Sequence, residues 1–233
     1  MTGKSCLTNL LDFMNFAHSS TDKGEPVDAI YLNFQKAFDK VPHQRLMPKL
    51  NAYGIGPRIL SWIGNWLNNR SQRVVLNGSS SEWSHVDSGV PQGSVLGPLL
   101  FLVYVNDIDD CVINKLSKFA DDAKLLGLVS DMDKVESLRK DLCNLFEWSK
   151  EWLMLFNIEK CHVIHFGPNN MHTTYEIDGQ LLSVAHEERD LGIMVSSDLK
   201  VSKQCAKAVA TANRVLGMIS RTISDKSKAE LAN

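Results

Sequence analysis

Leu116-Ser-Lys-Phe-Ala-Asp-Asp-Ala-Lys-Leu-Leu-Gly127 sets two adjacent carboxylates, Asp121 and Asp122, between two apolar arms. The pattern predicts a hairpin with the acidic pair at its tip, since the arms read as strands and aspartate is a common turn residue. Like charges side by side repel each other. On a solvated turn that costs little, and an ordinary turn is one reading of the stretch. Apolar arms would instead hold the pair on a rigid, largely buried support, where a divalent cation can neutralise it. Mg²⁺ prefers one or two carboxylates together with substrate phosphates.

Working back toward the N-terminus, Ser88-Gly-Val-Pro-Gln-Gly-Ser-Val-Leu-Gly-Pro98 predicts a tight turn leading into an apolar helix over 95–105. It can be read as a plain loop before a helix. Its density of Gly and Pro also suits a built site: Gly89 and Gly93 would let a ligand approach the backbone, and Gln92 would project a donor and an acceptor from a rigid turn. Further upstream, Tyr31-Leu-Asn-Phe-Gln-Lys-Ala-Phe-Asp-Lys-Val-Pro42 reads as the end of a strand over 27–34 followed by a turn.

The remaining elements fill in around these three. Apolar periodicity predicts helices over 6–18, 43–53 (with Pro48 as an awkward interior residue), 59–67 and 133–155. Short strands are expected over 72–76 and 161–166, a loop over 78–81, and a second hairpin over 175–182 that turns at Asp178-Gly179. Strands and helices alternate without a regular βαβ beat. That predicts an α+β fold with a mostly antiparallel sheet and helices on one side.

The chain has 233 residues, 44% of them hydrophobic, enough for a sizeable core. No apolar run reaches membrane-spanning length, and the N-terminus lacks the apolar stretch of a signal peptide. The expectation is an intracellular protein of nucleus or cytoplasm, not secreted and without a membrane partner. The five cysteines are scattered, which argues against a disulfide framework or a zinc ribbon. The formal net charge of −2 gives no support to nucleic-acid binding by itself. From 200 to 233, however, seven basic residues face two acidic ones, so this tail is basic and the rest of the chain acidic. A basic tail is commonly a solvated helix face, and it also suits a segment lying along a phosphate backbone.

Taken together, the three quoted stretches resemble motifs A, B and C of reverse transcriptases, in order and at the usual spacing. The resemblance is to LINE-like, jockey-type non-LTR retrotransposons. It extends to Gly3-Lys-Ser-Cys-Leu-Thr-Asn-Leu-Leu11, Phe156-Asn-Ile-Glu-Lys-Cys161 and Glu188-Arg-Asp-Leu-Gly192. It implies a polymerase palm, an antiparallel sheet backed by helices, over 1–166. A short hairpin region similar to motif E would follow over 167–198, and the basic helical start of a thumb over 199–233. It also implies two-metal nucleotidyl transfer with two Mg²⁺ ions, an RNA template, a DNA primer and deoxynucleoside triphosphates. Asp121 and Asp122 match the motif C metal ligands. Phe38 matches the residue that packs against the incoming sugar and excludes a 2′-hydroxyl, with core packing as the other reading. Gln92 and Gly93 match the nucleotide-contacting part of motif B. Lys160 matches the motif D lysine proposed as general acid for the leaving pyrophosphate, or is a surface lysine.

The sequence departs from the family at position 33, where Asn33 replaces the motif A aspartate. A neutral carbonyl oxygen then stands where a charged ligand should bridge both ions. Asp39 lies past the strand and is not expected to substitute. Relatives also carry finger segments before position 3 and a longer thumb, so the chain reads as truncated at both ends. Three functions follow as expectations: a catalytically impaired reverse transcriptase domain, a non-catalytic nucleic-acid-binding remnant, or the unselected product of a decayed element. Cys161, His162 and His165 are read as structural rather than metal-ligating. Trp62, Trp66, Trp148 and Trp152 are read as core rather than base-stacking residues.

Overall fold

The computed structural model describes residues 5–222. Gly3 and Lys4 of the first resembling segment, and the tail charges Asp225, Lys226, Lys228 and Glu230, lie outside the described residues. The chain divides into two compact units, Met1–Ala185 and His186–Asn233.

The first unit opens with α1 (Cys6–Asp22), capped by Ser5, whose hydroxyl accepts from the Thr8 N–H while the Thr8 side chain accepts from the Ser5 N–H. Next is β1 (Val27–Asn33), buried at every residue but the last. The short α2 (Ala37–Lys40), α3 (His43–Ala52) and α4 (Pro57–Leu67) follow. Helix α3 runs through Pro48, and Pro57 sits at the start of α4, where its missing N–H costs nothing. A two-stranded ribbon comes next: β2 (Arg70–Gln72), β3 (Val75–Leu76), β4 (Ser79–Ser80) and β5 (Ser84–Val86), in which β2 pairs with β5 and β3 with β4. Asn77 and Gly78 both have positive φ, as a type I′ hairpin turn requires.

Helix α5 (Leu96–Tyr104) and a 3₁₀ helix (Asn106–Cys111) lead to the hairpin β6 (Lys115–Phe119) and β7 (Asp122–Leu128). Helix α6 (Met132–Glu151), β8 (His162–Phe166), the small hairpin β9 (Glu176–Ile177) and β10 (Gln180–Leu181), and β11 (Ser183–Val184) complete the unit. The five-stranded sheet has the order β11-β8-β1-β7-β6, antiparallel except for the β11 edge. Strand β1 is central and covered on both faces, so it reads as a continuous apolar run rather than an alternating one. Leu138 of α6 crowds the position a Gly127 Cβ would take, which puts α6 on that face. Phe13 of α1 meets Phe166 edge-on from the other face, 6.1 Å between ring centroids.

Two buried polar clusters tie the elements together. Lys49 of α3 donates to the Tyr104 carbonyl at 2.5 Å and to Asp107 at 2.6 Å, and its ammonium lies 3.6 Å from the Trp152 ring centroid. Burial pulls this ammonium below its ordinary pKa, and Asp107 pulls it back up. Asp28 of β1 accepts from His165 (2.7 Å), Asn170 (2.7 Å) and the Tyr175 hydroxyl (2.6 Å). Burial and the Asp28 charge together push the Tyr175 phenol upward.

Several expectations change. Helices cover the sheet on both faces, α6 on one and α1 on the other, and not on one side alone. The expected loop over 78–81 holds the strand β4, paired with β3. Helix α6 stops at Glu151 rather than running to 155. Leu153 takes φ +54°, the Leu153 N–H bonds the Lys150 carbonyl, and the Met154 N–H reaches back to Ser149. That is a Schellman stop built without glycine, which periodicity cannot reveal. Trp62 is not core: it is 54% exposed and stacks on Trp66, 6.2 Å between centroids. Trp148, by contrast, is buried, with Trp152 packed against the core.

The second unit contains the hairpin β12 (Glu187–Asp190) and β13 (Ile193–Ser196), followed by α7 (Ser202–Thr222). Gln204 accepts from the Met194 N–H, and Lys203 pairs with Glu187 at 2.5 Å.

Among the described residues, no helix is long and apolar enough to cross a membrane.

Candidate active site

The register of the central sheet decides the site. Asn33, the last residue of β1, stands directly opposite Asp122, the first residue of β7. Directly opposed residues of an antiparallel pair project to the same face, with Cβ atoms roughly 4.5–5.5 Å apart. Asp121 occupies the two-residue turn between Phe119 and Asp122, and Ala120 before it takes φ +52°. A positive φ in the first turn residue suits a primed hairpin turn, and the alanine bears strain that a glycine would not. Asp122 is exposed, while Asp121 and Asn33 are half-buried. The structure therefore brings together the three positions that sequence reading assigned to one pocket.

The backbone of position 33 is clamped. The Asn33 N–H points to the Cys161 sulfur at 3.5 Å, and its carbonyl accepts from the Asn157 N–H at 2.7 Å. Phe34 stacks on Phe156 with centroids 4.8 Å apart, and the Gln35 N–H bonds the Leu155 carbonyl at 2.8 Å. Burial pushes the Cys161 thiol up from its ordinary pKa, which keeps it a neutral packing group. Lys160 lies on the 3₁₀ turn Ile158–Lys160 that follows this clamp, and it is exposed.

Phe38, on α2, is half-buried and stacks against Phe101 of α5, 4.8 Å between centroids. The Phe38 carbonyl accepts from the Val90 N–H at 2.7 Å, and the Gln92 side chain donates to Asp39 at 3.3 Å. The two glycines of the turn differ. Gly93 has φ +80° with open space where a Cβ would stand. Gly89 has φ +86°, and a Cβ there would lie 2.6 Å from the Asp39 Cα. The close approach at Gly89 is thus to the chain's own backbone and not to a ligand.

Sequence reading missed His43 and Arg70. Both bind the Gly89 carbonyl, the His43 Nε2 at 2.8 Å and the Arg70 Nη2 at 2.8 Å. They fix the turn from α3 and from the ribbon, a convergence that no local pattern signals. Beside this turn is a cleft of ≈ 690 Å³, lined by Lys36, Lys40, Arg70, Gln72, His85 and Gln92 among others. Among the described residues, no group of three His, Cys, Asp or Glu side chains is arranged to hold a metal ion.

A helix-backed antiparallel sheet whose central strands end at an acidic hairpin is the palm of a nucleic-acid polymerase. The family model described as "Reverse transcriptase (RNA-dependent DNA polymerase)" matches residues 2–219, and the chain belongs to that family. Among its relatives is the RNA-directed DNA polymerase from mobile element jockey of Drosophila funebris, 28% identical over 80% of this chain and 21% of that protein. The Drosophila melanogaster jockey polymerase is 25% identical over 94% of this chain and 25% of its own length. The Pol polyprotein of the type-1 retrotransposable element R2 from Popillia japonica is 27% identical over 66% of this chain and 27% of its own. This chain thus spans about a quarter of these proteins or less. Among solved structures, a telomerase from Candida tropicalis, in complex with a fragment of telomeric RNA, superimposes with a TM-score of 0.54. It is 12% identical, and the match covers 84% of this chain and 32% of that one. The chain is a reverse transcriptase domain of the non-LTR retrotransposon type.

Proposed function

We propose that the domain contributes the palm of an RNA-directed DNA polymerase, acting on an RNA template, a DNA primer and deoxynucleoside triphosphates, with turnover curtailed at position 33. The observation that carries this reading is the pairing of Asn33 with Asp122 beside the Asp121 turn. Two carboxylates fit one Mg²⁺ ion. They do not fit two, because the charged ligand shared by both ions would have to come from position 33. Mg²⁺ held by Asp121 and Asp122 would neutralise charge on the oxygens of the transferred phosphoryl group.

The other roles fall to side chains around the pocket. The Phe38 ring, backed by Phe101, would exclude a 2′-hydroxyl. Gln92, with Gly93 beside it, would contact the nucleotide from the turn fixed by His43 and Arg70. Lys160 would deliver a proton to the leaving pyrophosphate.

Primer extension on an RNA template, with the natural chain and Asn33→Asp side by side in Mg²⁺, tests the reading. Removing one preorganised electrostatic group costs about 10²–10³ in rate. The revertant should therefore gain at least about 10²-fold. No gain would place the defect elsewhere and sink the assignment of position 33. A second reading, a nucleic-acid-binding remnant without turnover, is favoured by the neutral residue at that same position. It predicts duplex binding in both variants and extension in neither.

A further inference from the structure

The ribbon of residues 70–86 presents side chains that folding does not explain. Val74, Val75 and Leu76 are exposed, and Trp83 is 61% exposed. A tryptophan left this open on a two-stranded ribbon is the informative kind of exposure, since it contributes little to any core. Its ring is nonetheless held in place, because the Arg73 guanidinium sits over it, 4.7 Å from the ring centroid.

The ribbon also points somewhere. Trp83 directly precedes β5, whose middle residue is His85. His85 lines the ≈ 690 Å³ cleft together with Arg70 and Gln72 from the same ribbon. The cleft carries the cations Lys36, Lys40 and Arg70 against the acids Asp39 and Asp87. Three cations against two acids leave the cleft one charge positive, with Arg70 held at the Gly89 carbonyl and Lys36 and Lys40 exposed. Lys36 and Lys40 follow directly on the strand that ends at Asn33.

We propose that Trp83, backed by Arg73, is a stacking platform for an unpaired base of single-stranded template RNA lying along the ribbon next to the cleft. The proposal rests on the polymerase reading above and adds a contact to it. An aromatic face beside a guanidinium and a cation-lined cleft is how single strands are held without regard to sequence. The aliphatic residues 74–76 could instead seat a second copy of the chain. Charge decides for the nucleic acid, because Arg73 stands at the platform itself and the cations stand along the cleft that the ribbon borders.

The test uses the full chain at fixed salt and fluorescence anisotropy. Binding of a blunt RNA–DNA duplex is compared with the same duplex bearing a 5′ RNA overhang of about six nucleotides. The overhang should tighten binding by about 10-fold. Trp83→Ala should erase that gain and Trp83→Phe should keep most of it. Arg73→Ala should reduce it, and affinity for the blunt duplex should stay unchanged in all three. A gain that survives Trp83→Ala, or a loss shared equally by the blunt duplex, overturns the platform. So does a concentration-dependent dimer that Trp83→Ala dissolves while the overhang gain persists. Blunt binding with no overhang gain sinks the platform alone, whereas absence of binding to either probe sinks the polymerase reading with it.

Discussion

Gly89 and Gly93 look interchangeable in the sequence, and their surroundings separate them. Both hold positive φ, so an alanine at either costs about 1–2 kcal/mol in backbone strain. Only at Gly89 would the added methyl meet the Asp39 backbone, with Cα, C and O all within 2.7 Å. A backbone contact cannot swing away as a side chain can, and overpacking adds about 1–3 kcal/mol. Urea denaturation should therefore show Gly89→Ala losing clearly more stability than Gly93→Ala. Equal losses would mean that the turn and the Asp39 segment are not in contact. The chemistry at position 33 is also a single-residue matter. The resemblance to motifs A and C singles out Asn33, Asp121 and Asp122 from the sequence alone. The Gly89 contact was invisible, because its partner lies 50 residues away and signals nothing locally.

At the scale of elements, β1 joins two kinds of construction. Its C-terminal end carries Asn33 to the candidate site. Near its N-terminal end Asp28, fully buried, accepts three hydrogen bonds from His165, Asn170 and Tyr175. The five-residue offset puts the two side chains on opposite faces of the strand. An Asp28→Asn variant keeps the shape but turns one acceptor into a donor facing donors. Breaking a buried charge-assisted cluster by one partner costs about 3–5 kcal/mol, and the isosteric amide should fall at the lower end, about 3 kcal/mol. The measurement is the shift in urea midpoint at constant slope. A loss under about 1 kcal/mol would show that the cluster is not what joins β1, β8 and the 170–175 segment. Strands, hairpins and most helices were legible because apolar periodicity and Asp-Gly turns are local signals. The ribbon turn at Asn77-Gly78 carries the same kind of local signal, an Asn-Gly pair with both φ positive. The end of α6 was not legible: a leucine at φ +54° carries the stop that a glycine would have announced.

For the whole molecule, net charge is a poor guide to what it binds. The chain totals −2, yet its cations are grouped. In the second unit α7 buries none of its residues. It carries Lys203, Lys207, Arg214 and Arg221, with Lys203 already paired to Glu187. In the first unit, Lys36 and Lys40 border the cleft. Each phosphate neutralised by such a side chain releases counterions, so log K should fall with log salt by about 0.9 per contact on a duplex. Changing Lys207, Arg214 and Arg221 to glutamine together should flatten the slope for a blunt RNA–DNA duplex by up to about 2.7 if all three reach phosphates. The same triple change should leave the urea midpoint nearly unmoved, because exposed substitutions away from packing shift stability by about 0.5 kcal/mol or less. An unchanged slope would assign the phosphate contacts to the first unit and leave α7 as a solvated face, the plainer of the two readings its sequence allowed.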